Sequence, residues 1–349
     1  MPAPNSKKRV TIKDVASEAG VSWMTVSRAL HTPELVAVKT RKLVEQTAQK
    51  LNYIPDLAAG SLARSRSNLI AVILPSLYFE GHIRTIEGLS AVMRREGFHL
   101  LMGDDYYSHN EEMELLRMIL GRRPAGIVVI NSAHSQEGRK LLMRSDVPVV
   151  ETWHLPQNPI DSVIGFSHAN VGFAMTQHLI SEGYRNIAFV ASPAKIDPRS
   201  KERHSGYVKA LNDHGLDASR LITITNNPLS ITAGKDSVEQ LLERYPDTDA
   251  MICLTDRVAM GAMMECRRRG INVPSDLAIA GHGDFEFSEH LVPSLTTTRI
   301  DALDIGTQTA ELLLKRIAGT DIQPTDKTID VGFSIVARES SQSRGSISL

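Results

Sequence analysis

The chain has 349 residues, 42% of them hydrophobic and 23% charged, a balance that supports two or three folded domains and excludes a fibre or a disordered tail. The net charge of −1 hides a split: residues 1–67 carry 11 Lys and Arg against 5 Asp and Glu, about +6, and the rest carries 28 against 35, about −7. A basic end on an acidic body confines attraction for a polyanion to one surface. Two cysteines, Cys253 and Cys266, have neither the number nor the spacing for a disulfide framework or a metal site. No metal or cofactor is therefore expected. The start MPAPNSKKRV has no apolar export core, and no run of about 18 apolar residues occurs, so a cytoplasmic protein without a membrane partner is expected.

Ile12, Val15, Ala16 and Ala19 recur at helical spacing, with Thr11 placed to cap the segment and Gly20 to end it. A turn through Val21 leads to a second helix with Ser22 as N-cap and Val26, Ala29 and Leu30 facing inward. Trp23, Met24, Ser27 and Arg28 form the opposite strip, an unusual composition for a solvated face. Two helices joined by a short glycine turn read as a helix-turn-helix, whose second helix enters the DNA major groove. A third helix follows at about 38–51, with Leu43, Val44, Thr47 and Leu51 inward and Ala37 where a capping hydroxyl is expected. The head spans 1–52. Residues 53–68 read as a linker, small-residue and ending in Arg64 and Arg66.

From residue 69 the texture changes to apolar runs of four to six residues alternating with helical stretches. Strands are expected at 69–74, 99–103, 126–130, 147–151, 186–191, 221–225, 250–254 and 277–281. Helices are expected at about 82–96, 110–120, 135–145, 169–182, 201–214, 231–245, 257–269 and 301–318. This is the pattern of doubly wound parallel sheets. The length and the repeated pattern predict two α/β lobes with a cleft between them. The boundaries expected are 69–183 with 301–321 for the amino-terminal lobe, 184–298 with 328–339 for the carboxy-terminal lobe, and a polar tail at 340–349.

The segments KDVASEAGVS, MTVSRAL, TRKLVEQTAQKLNYIPD and SLARSRSNLIAVILPSL resemble the lactose/galactose repressor family of bacterial transcription regulators, from about residue 10 to 339. LPSL, IGFSHAN and AIAGHG look most like its gluconate-operon repressor branch. The resemblance implies a small all-α helix-turn-helix head and a periplasmic-binding-protein-like body of two doubly wound lobes. It also implies a repressor of carbohydrate or sugar-acid genes, a nucleoid-associated location, and a homodimer on double-stranded operator DNA. The tail lacks the leucine-heptad helix of the family's tetramers.

For DNA, Thr11, Trp23, Met24, Thr25, Ser27, Arg28 and Leu62 are the candidate contacts. Arg28 can offer two donors to guanine O6 and N7, whereas Met24 offers only an apolar contact, such as a thymine methyl. Lys7, Lys8, Arg9, Lys13, Lys39, Arg41, Lys42, Arg64 and Arg66 are candidate phosphate partners. The resemblance gives Leu62 the role of a minor-groove wedge on a hinge helix that forms on DNA. Gly60 lowers the stability of that helix off DNA.

For the effector, the candidates are Ser76, His82, Tyr106, Asn170, Arg203, Thr255, Asp256, His282 and Asp284. Arg203 matches an arginine that in the family contacts the effector, and its fork suits a carboxylate or hydroxyl pair. Asn170, Thr255 and Asp256 each stand where a helix cap would also place them; His82 and Tyr106 read equally as plain loop residues. Gly283 stands where neutral-sugar and purine readers of the family have an aspartate. Losing that carboxylate while keeping Arg203 and adding His282 favours a small anion, with gluconate or a keto-gluconate first. Enzyme motifs are lacking: there is no G-x-S-x-G, no glycine-rich phosphate loop and no metal-ligand spacing. The competing reading is an extracytoplasmic sugar-binding protein for transport or sensing, which suits the body but not the basic head.

Overall fold

A computed structural model describes residues 10–54, 67–75, 79–105, 108–130, 134–193, 197–320, 323 and 327–342. The expected sites Leu62, Ser76 and Tyr106, the basic residues Lys7, Lys8, Arg9, Arg64 and Arg66, and most of the linker lie outside these residues. The chain divides into two compact units, 1–67 and 68–349.

In the first unit, α1 (Ile12–Ala19) opens with a capping box: Thr11 accepts from the Asp14 amide, and the Asp14 carboxylate accepts from the Thr11 amide. Gly20 ends it at φ 64°, a left-handed conformation that costs a glycine little. Ser22 caps α2 (Trp23–His31) by accepting from the Thr25 amide. The third helix, α3 (Val38–Lys50), begins at Ala37 with no side-chain cap bond. Val15, Ala16, Val26, Ala29, Val44 and Ala48 form the core between the three helices. Leu43, expected to face inward, is instead 46% exposed, and Ala48, one turn after Val44, is buried.

The second unit contains two parallel sheets. The first runs β2 (His99–Asp104), β1 (Leu69–Leu74), β3 (Gly126–Val129), β4 (Val149–Thr152), β5 (Ser162–Gly165) and β11 (Thr328–Asp330) from edge to edge. The other runs β7 (Leu221–Thr223), β6 (Ile187–Ala191), β8 (Ala250–Ile252) and β9 (Ala278–Ala280). Both repeat one order, second strand, first, third, fourth, so each has a topological switch point beside its first strand. Loops leaving the carboxyl ends of the strands diverge there and open a crevice. A short antiparallel pair, β10 (Thr297–Arg299) with β12 (Ser334–Val336), completes the unit.

The helices of this unit are α4 (Glu80–Arg95), α5 (His109–Gly121), α6 (Gln136–Arg144), α7 (His168–Ser181), α8 (Pro198–Asp213), α9 (Ile231–Arg244), α10 (Asp256–Arg269) and α11 (Ala302–Ile317). Three pairs pack closely, α4 with α11, α7 with α8, and α9 with α10. Each crossing has a glycine on both helices. A Cβ at Gly88, Gly172 or Gly234 would stand 2.2, 1.9 or 2.0 Å from a backbone oxygen of the opposite helix, and Gly306, Gly206 and Gly261 mirror them at 2.0, 1.9 and 2.0 Å.

Three boundaries differ from the sequence reading. Helix α7, expected in the amino-terminal lobe, packs on α8 and buries Met175, Leu179 and Ile180 with Ile187 and Phe189 of the second sheet. Strand β11, expected in the carboxy-terminal lobe, adds to β5 of the first sheet, with Ile329 opposite Ile164. The expected tail begins inside the unit: Ser340 and Ser341 are fully buried, and the Ser340 hydroxyl donates to the Ile279 carbonyl at 2.6 Å. The strands β5, β10, β11 and β12 have no counterpart among the expected ones. They are three or four residues long and rich in Ser, Thr, Asp and Arg, too short and polar to show a period.

Candidate functional site

In the head, the exposed strip of α2 follows from its inward one. Val26 and Ala29 are buried, which turns Trp23 and Met24 outward at 54% and 51% exposure, with Arg28 also exposed and Ser27 and Thr25 partly so. The Thr25 hydroxyl lies 2.9 Å from that of Ser22, and the Thr11 hydroxyl donates to Asp14, so both also serve the helix starts. The strip offers one guanidinium, one indole and one thioether on a convex helix, a shape that fits a major groove.

The body holds a small cavity lined by Phe79, Trp153, His168, Asp197, Arg199, Arg203, Leu229, Thr255 and His282. Every one of these follows the carboxyl end of a strand: Phe79 after β1, Trp153 after β4, His168 after β5, Asp197 to Arg203 after β6, Leu229 after β7, Thr255 after β8 and His282 after β9. One wall is aromatic. Phe79 meets Trp153 edge-on at 5.3 Å and Phe285 at 5.2 Å, joining the two sheets' loops.

The opposite wall is charged and almost fully buried. Asp197, the cap of α8, accepts from Arg199 Nε at 2.9 Å and from Arg203 Nη2 at 3.1 Å. Burial alone would raise the Asp197 carboxyl, but the two guanidiniums outweigh it and hold the group well below the usual carboxylate range. His168 Nδ1 accepts from Arg203 Nη1 at 3.1 Å, and His168 Nε2 donates to the Trp153 carbonyl at 2.8 Å. These bonds assign a neutral Nε2–H tautomer, consistent with burial and the neighbouring Arg203 pushing His168 well below the ordinary histidine value. The crossing of α7 and α8 at Gly172 and Gly206 brings the two helix starts close enough for this contact. His282 is buried beside the same guanidiniums, its Nδ1 without a hydrogen-bond partner among the described residues. Among the described residues this wall sets two guanidiniums against one carboxylate.

The structure thus brings Arg203, Thr255 and His282 of the expected set into one cavity, Thr255 capping α10 as well. Other expected sites lie elsewhere. Asp256 is wholly buried, its carboxylate accepting from the Phe285 amide and the Ser288 and Thr297 hydroxyls. Burial pushes it up to about 6 despite those donors, and it faces no ligand space. Asp284 accepts from Arg299 and Arg338 and borders a different, open recess. Asn170 is exposed on the first turn of α7, its amide bound to the Ser167 cap. His82 lies in helix α4 rather than a loop, buried with its ring 5.0 Å from Phe79 and 5.5 Å from Trp153. Gly283 adopts φ 127°, and a Cβ there would come within 2.5 Å of the Phe285 ring, so no carboxylate fits at this position without displacing that wall.

Phe79, Trp153, His168, Asp197, Arg199 and Leu229 lie outside the set that the sequence reading singles out. Arg199 carries a usable signal, four residues before Arg203, and His168 stands directly before the helix expected at 169–182. Trp153 carries another: a tryptophan directly after an apolar strand, here with φ 70°.

An outward helix strip on a basic head, carried with a two-sheet body whose strand-end loops line a small polar and aromatic cavity, defines a DNA-binding transcription regulator. The chain belongs to the lacI family of bacterial regulatory proteins. The model of that family matches residues 11–56, and a periplasmic binding protein-like domain matches 176–341. The HTH-type transcriptional regulator GntR of Pseudomonas aeruginosa is 35% identical over 332 residues, covering 95% of this chain and 96% of the relative. The regulator IdnR of Escherichia coli is 29% identical over 94% of this chain and 97% of its own. Among solved structures, a LacI family regulator from Silicibacter pomeroyi superposes with a TM-score of 0.89 at 29% identity, covering 95% and 99% of the two chains. The lac repressor dimer bound to operator and the anti-inducer ONPF gives 0.80 at 26%, covering 96% and 100%. No helix among the described residues is long and apolar enough to cross a membrane.

Proposed function

We propose that this regulator is a repressor of sugar-acid catabolism genes whose operator affinity changes when a small carbohydrate acid, gluconate or a keto-gluconate, occupies the cavity. The supporting observation is the charged wall, in which Arg199 and Arg203 both donate to the carboxylate of Asp197 and all three side chains are buried. Two guanidinium forks on one buried wall suit a carboxylate or a hydroxyl pair, so the wall favours a ligand that brings a negative charge. Arg203 and Arg199 hold the carboxylate, Thr255 and His282 meet polar groups, and Phe79 and Trp153 cover the carbon chain. The resemblance to the gluconate-operon branch points to the same class.

On DNA, Arg28, Met24 and Trp23 read base edges, Ser27, Thr25 and Thr11 contact the backbone, and Leu62 enters the minor groove. A homodimer presents two such heads to a two-fold operator, as in the lac repressor dimer on its operator. Effector closes the body's two lobes and alters the hinge segment, and linkage requires only that the ligand prefer one of the two states.

The test is a titration of the protein bound to its own promoter duplex with gluconate, 2-keto-gluconate, 5-keto-gluconate and glucose, read by anisotropy of the labelled duplex. A sugar acid should shift operator affinity by about 5–150-fold, glucose should not, and Arg203→Ala should abolish the response. A response to glucose alone, or one that survives Arg203→Ala, overturns the assignment.

A further inference from the structure

Two connections between the sheets lie side by side in the pair β10 and β12. From β9 of the second sheet, β10 carries the chain to α11, which packs on α4 and on the core of the first sheet. From β11 of the first sheet, β12 brings it back to β9, where Ser340 bonds the Ile279 carbonyl. The two strands pair antiparallel, Thr297 opposite Val336. A change in the relation of the sheets therefore passes through this ribbon as well as through the link from β5 to α7. Thr297 and Arg299 share one face of β10, and two carboxylates grip that face. Asp284 accepts from Arg299 and, just past β12, from Arg338. Asp256 Oδ1 accepts from the Thr297 hydroxyl, which itself accepts from the Asp284 amide at 3.3 Å. Asp256 Oδ2 accepts from the Phe285 amide at 2.8 Å and the Ser288 hydroxyl at 2.7 Å. One carboxylate thus divides its oxygens between the ribbon and the loop that follows β9.

The same loop and carboxylate adjoin the cavity. Asp256 directly follows Thr255, its amide donates to the His282 carbonyl at 3.1 Å, and both Thr255 and His282 line the cavity. The Phe285 ring lies 5.2 Å from that of Phe79, another lining residue. Resting on the sugar-acid reading, we propose that Asp256 and Thr297 are positioning residues that touch no ligand and transmit occupancy of the cavity to the β10–β12 ribbon. Asp256, Ser288 and Thr297 are each 0% exposed, so water cannot replace a broken bond, and a buried carboxylate that loses a donor is costly. The packing is tight as well: a Cβ on Gly281 would stand 2.2 Å from Asp256 Oδ1. When ligand displaces the loop, loop and ribbon therefore move together rather than part. Thr297 is the selective handle, because its hydroxyl joins the ribbon to Asp256 and Asp284 and forms no part of the cavity lining.

Two quantities are measured on the full-length protein: gluconate affinity by calorimetry, and the factor by which saturating gluconate changes operator affinity, by anisotropy of the labelled duplex. Thr297→Val keeps the shape of the side chain and removes both bonds. It is expected to reduce that factor about 2- to 30-fold while gluconate affinity stays within about threefold of the wild type. Thr297→Ser keeps the hydroxyl and is expected to restore the response, which a role in packing alone would not do. An unchanged factor in Thr297→Val overturns the proposal, and so does an equal loss in the serine variant. The wild type supplies a test that needs no variant. Gluconate should alter hydrogen exchange in peptides spanning 282–288 and 296–299 together, and an effect confined to the first overturns the proposal. If no sugar acid binds, the sugar-acid reading fails and this inference falls with it, an outcome distinct from binding that leaves the ribbon unmoved.

Discussion

Arg203 Nη1 donates to His168 Nδ1 at 3.1 Å, and the other nitrogen of that ring donates to the Trp153 carbonyl. An arginine on α8 is thereby aimed by a histidine on α7, and the histidine by the backbone of the amino-terminal sheet. His168→Phe keeps the ring's bulk and removes both bonds. Hydrogen bonds to charged groups contribute about 1.5–3 kcal/mol, so gluconate affinity should fall about 10- to 100-fold. Calorimetry on the folded variant checks this; unchanged affinity would show that Arg203 needs no such support.

The glycine crossing should be equally sensitive. Gly172→Ala or Gly206→Ala places a methyl against a backbone carbonyl that cannot rotate away, and overpacking of this kind costs about 1–3 kcal/mol. Gly121, the last residue of α5, meets nothing within 4 Å and has no left-handed φ. Gly121→Ala should therefore stabilise by up to about 1 kcal/mol. Thermal or urea unfolding of the three variants gives opposite signs if the crossings are as close as described.

In the head, Arg28→Ala should weaken operator binding by about 1–3 kcal/mol and relax base preference at one position per half-site. The melting temperature should hardly move, because the side chain is exposed and outside the head's core. Competition between the selected operator and point-changed duplexes reads the first effect, and circular dichroism the second. Equal loss on every duplex would reassign Arg28 to phosphate.

Asp256 gives a pH signature. Its folded value, about 6, lies above the ordinary 3.8, so the protonated form is the one the fold favours. That contribution is complete below pH 3.8 and is lost as pH rises through about 6, an amount on the order of 2–3 kcal/mol. Asp256→Asn has no such titration. Urea unfolding of both proteins at about pH 4.5 and about pH 7.5 should show wild-type stability declining relative to the variant as pH rises; a constant difference would refute the raised value.

The long elements were legible because their residues repeat with a clear period: Val15, Ala16 and Ala19 on α1, or the continuous apolar run 69–74 that β1 buries. Caps at Thr11, Ser22 and Gly20 carried their own chemistry in the residue type. The cavity was legible only in part. Arg203, Thr255 and His282 stand near recognisable strand ends, but whether a polar side chain there faces ligand or its own loop depends on competing donors. Asp256 is captured by Ser288 and Thr297, 32 and 41 residues away, and Asp284 by Arg299 and Arg338. Such long-range pairings leave no local trace. Short strands such as β11, paired across more than 160 residues of chain with β5, leave none either.

The chain contains two tryptophans, and each unit of the fold holds one. Trp23 is 54% exposed on α2, and Trp153 is 2% exposed in the cavity wall. Indole emission shifts to the red when the ring is wet and to the blue when it is dry. The unlabelled protein thus carries two intrinsic optical reporters of separable colour, one watching the groove-facing helix and one watching the ligand. Trp23→Phe and Trp153→Phe would each silence one channel, so occupancy of either site becomes visible in a single cuvette.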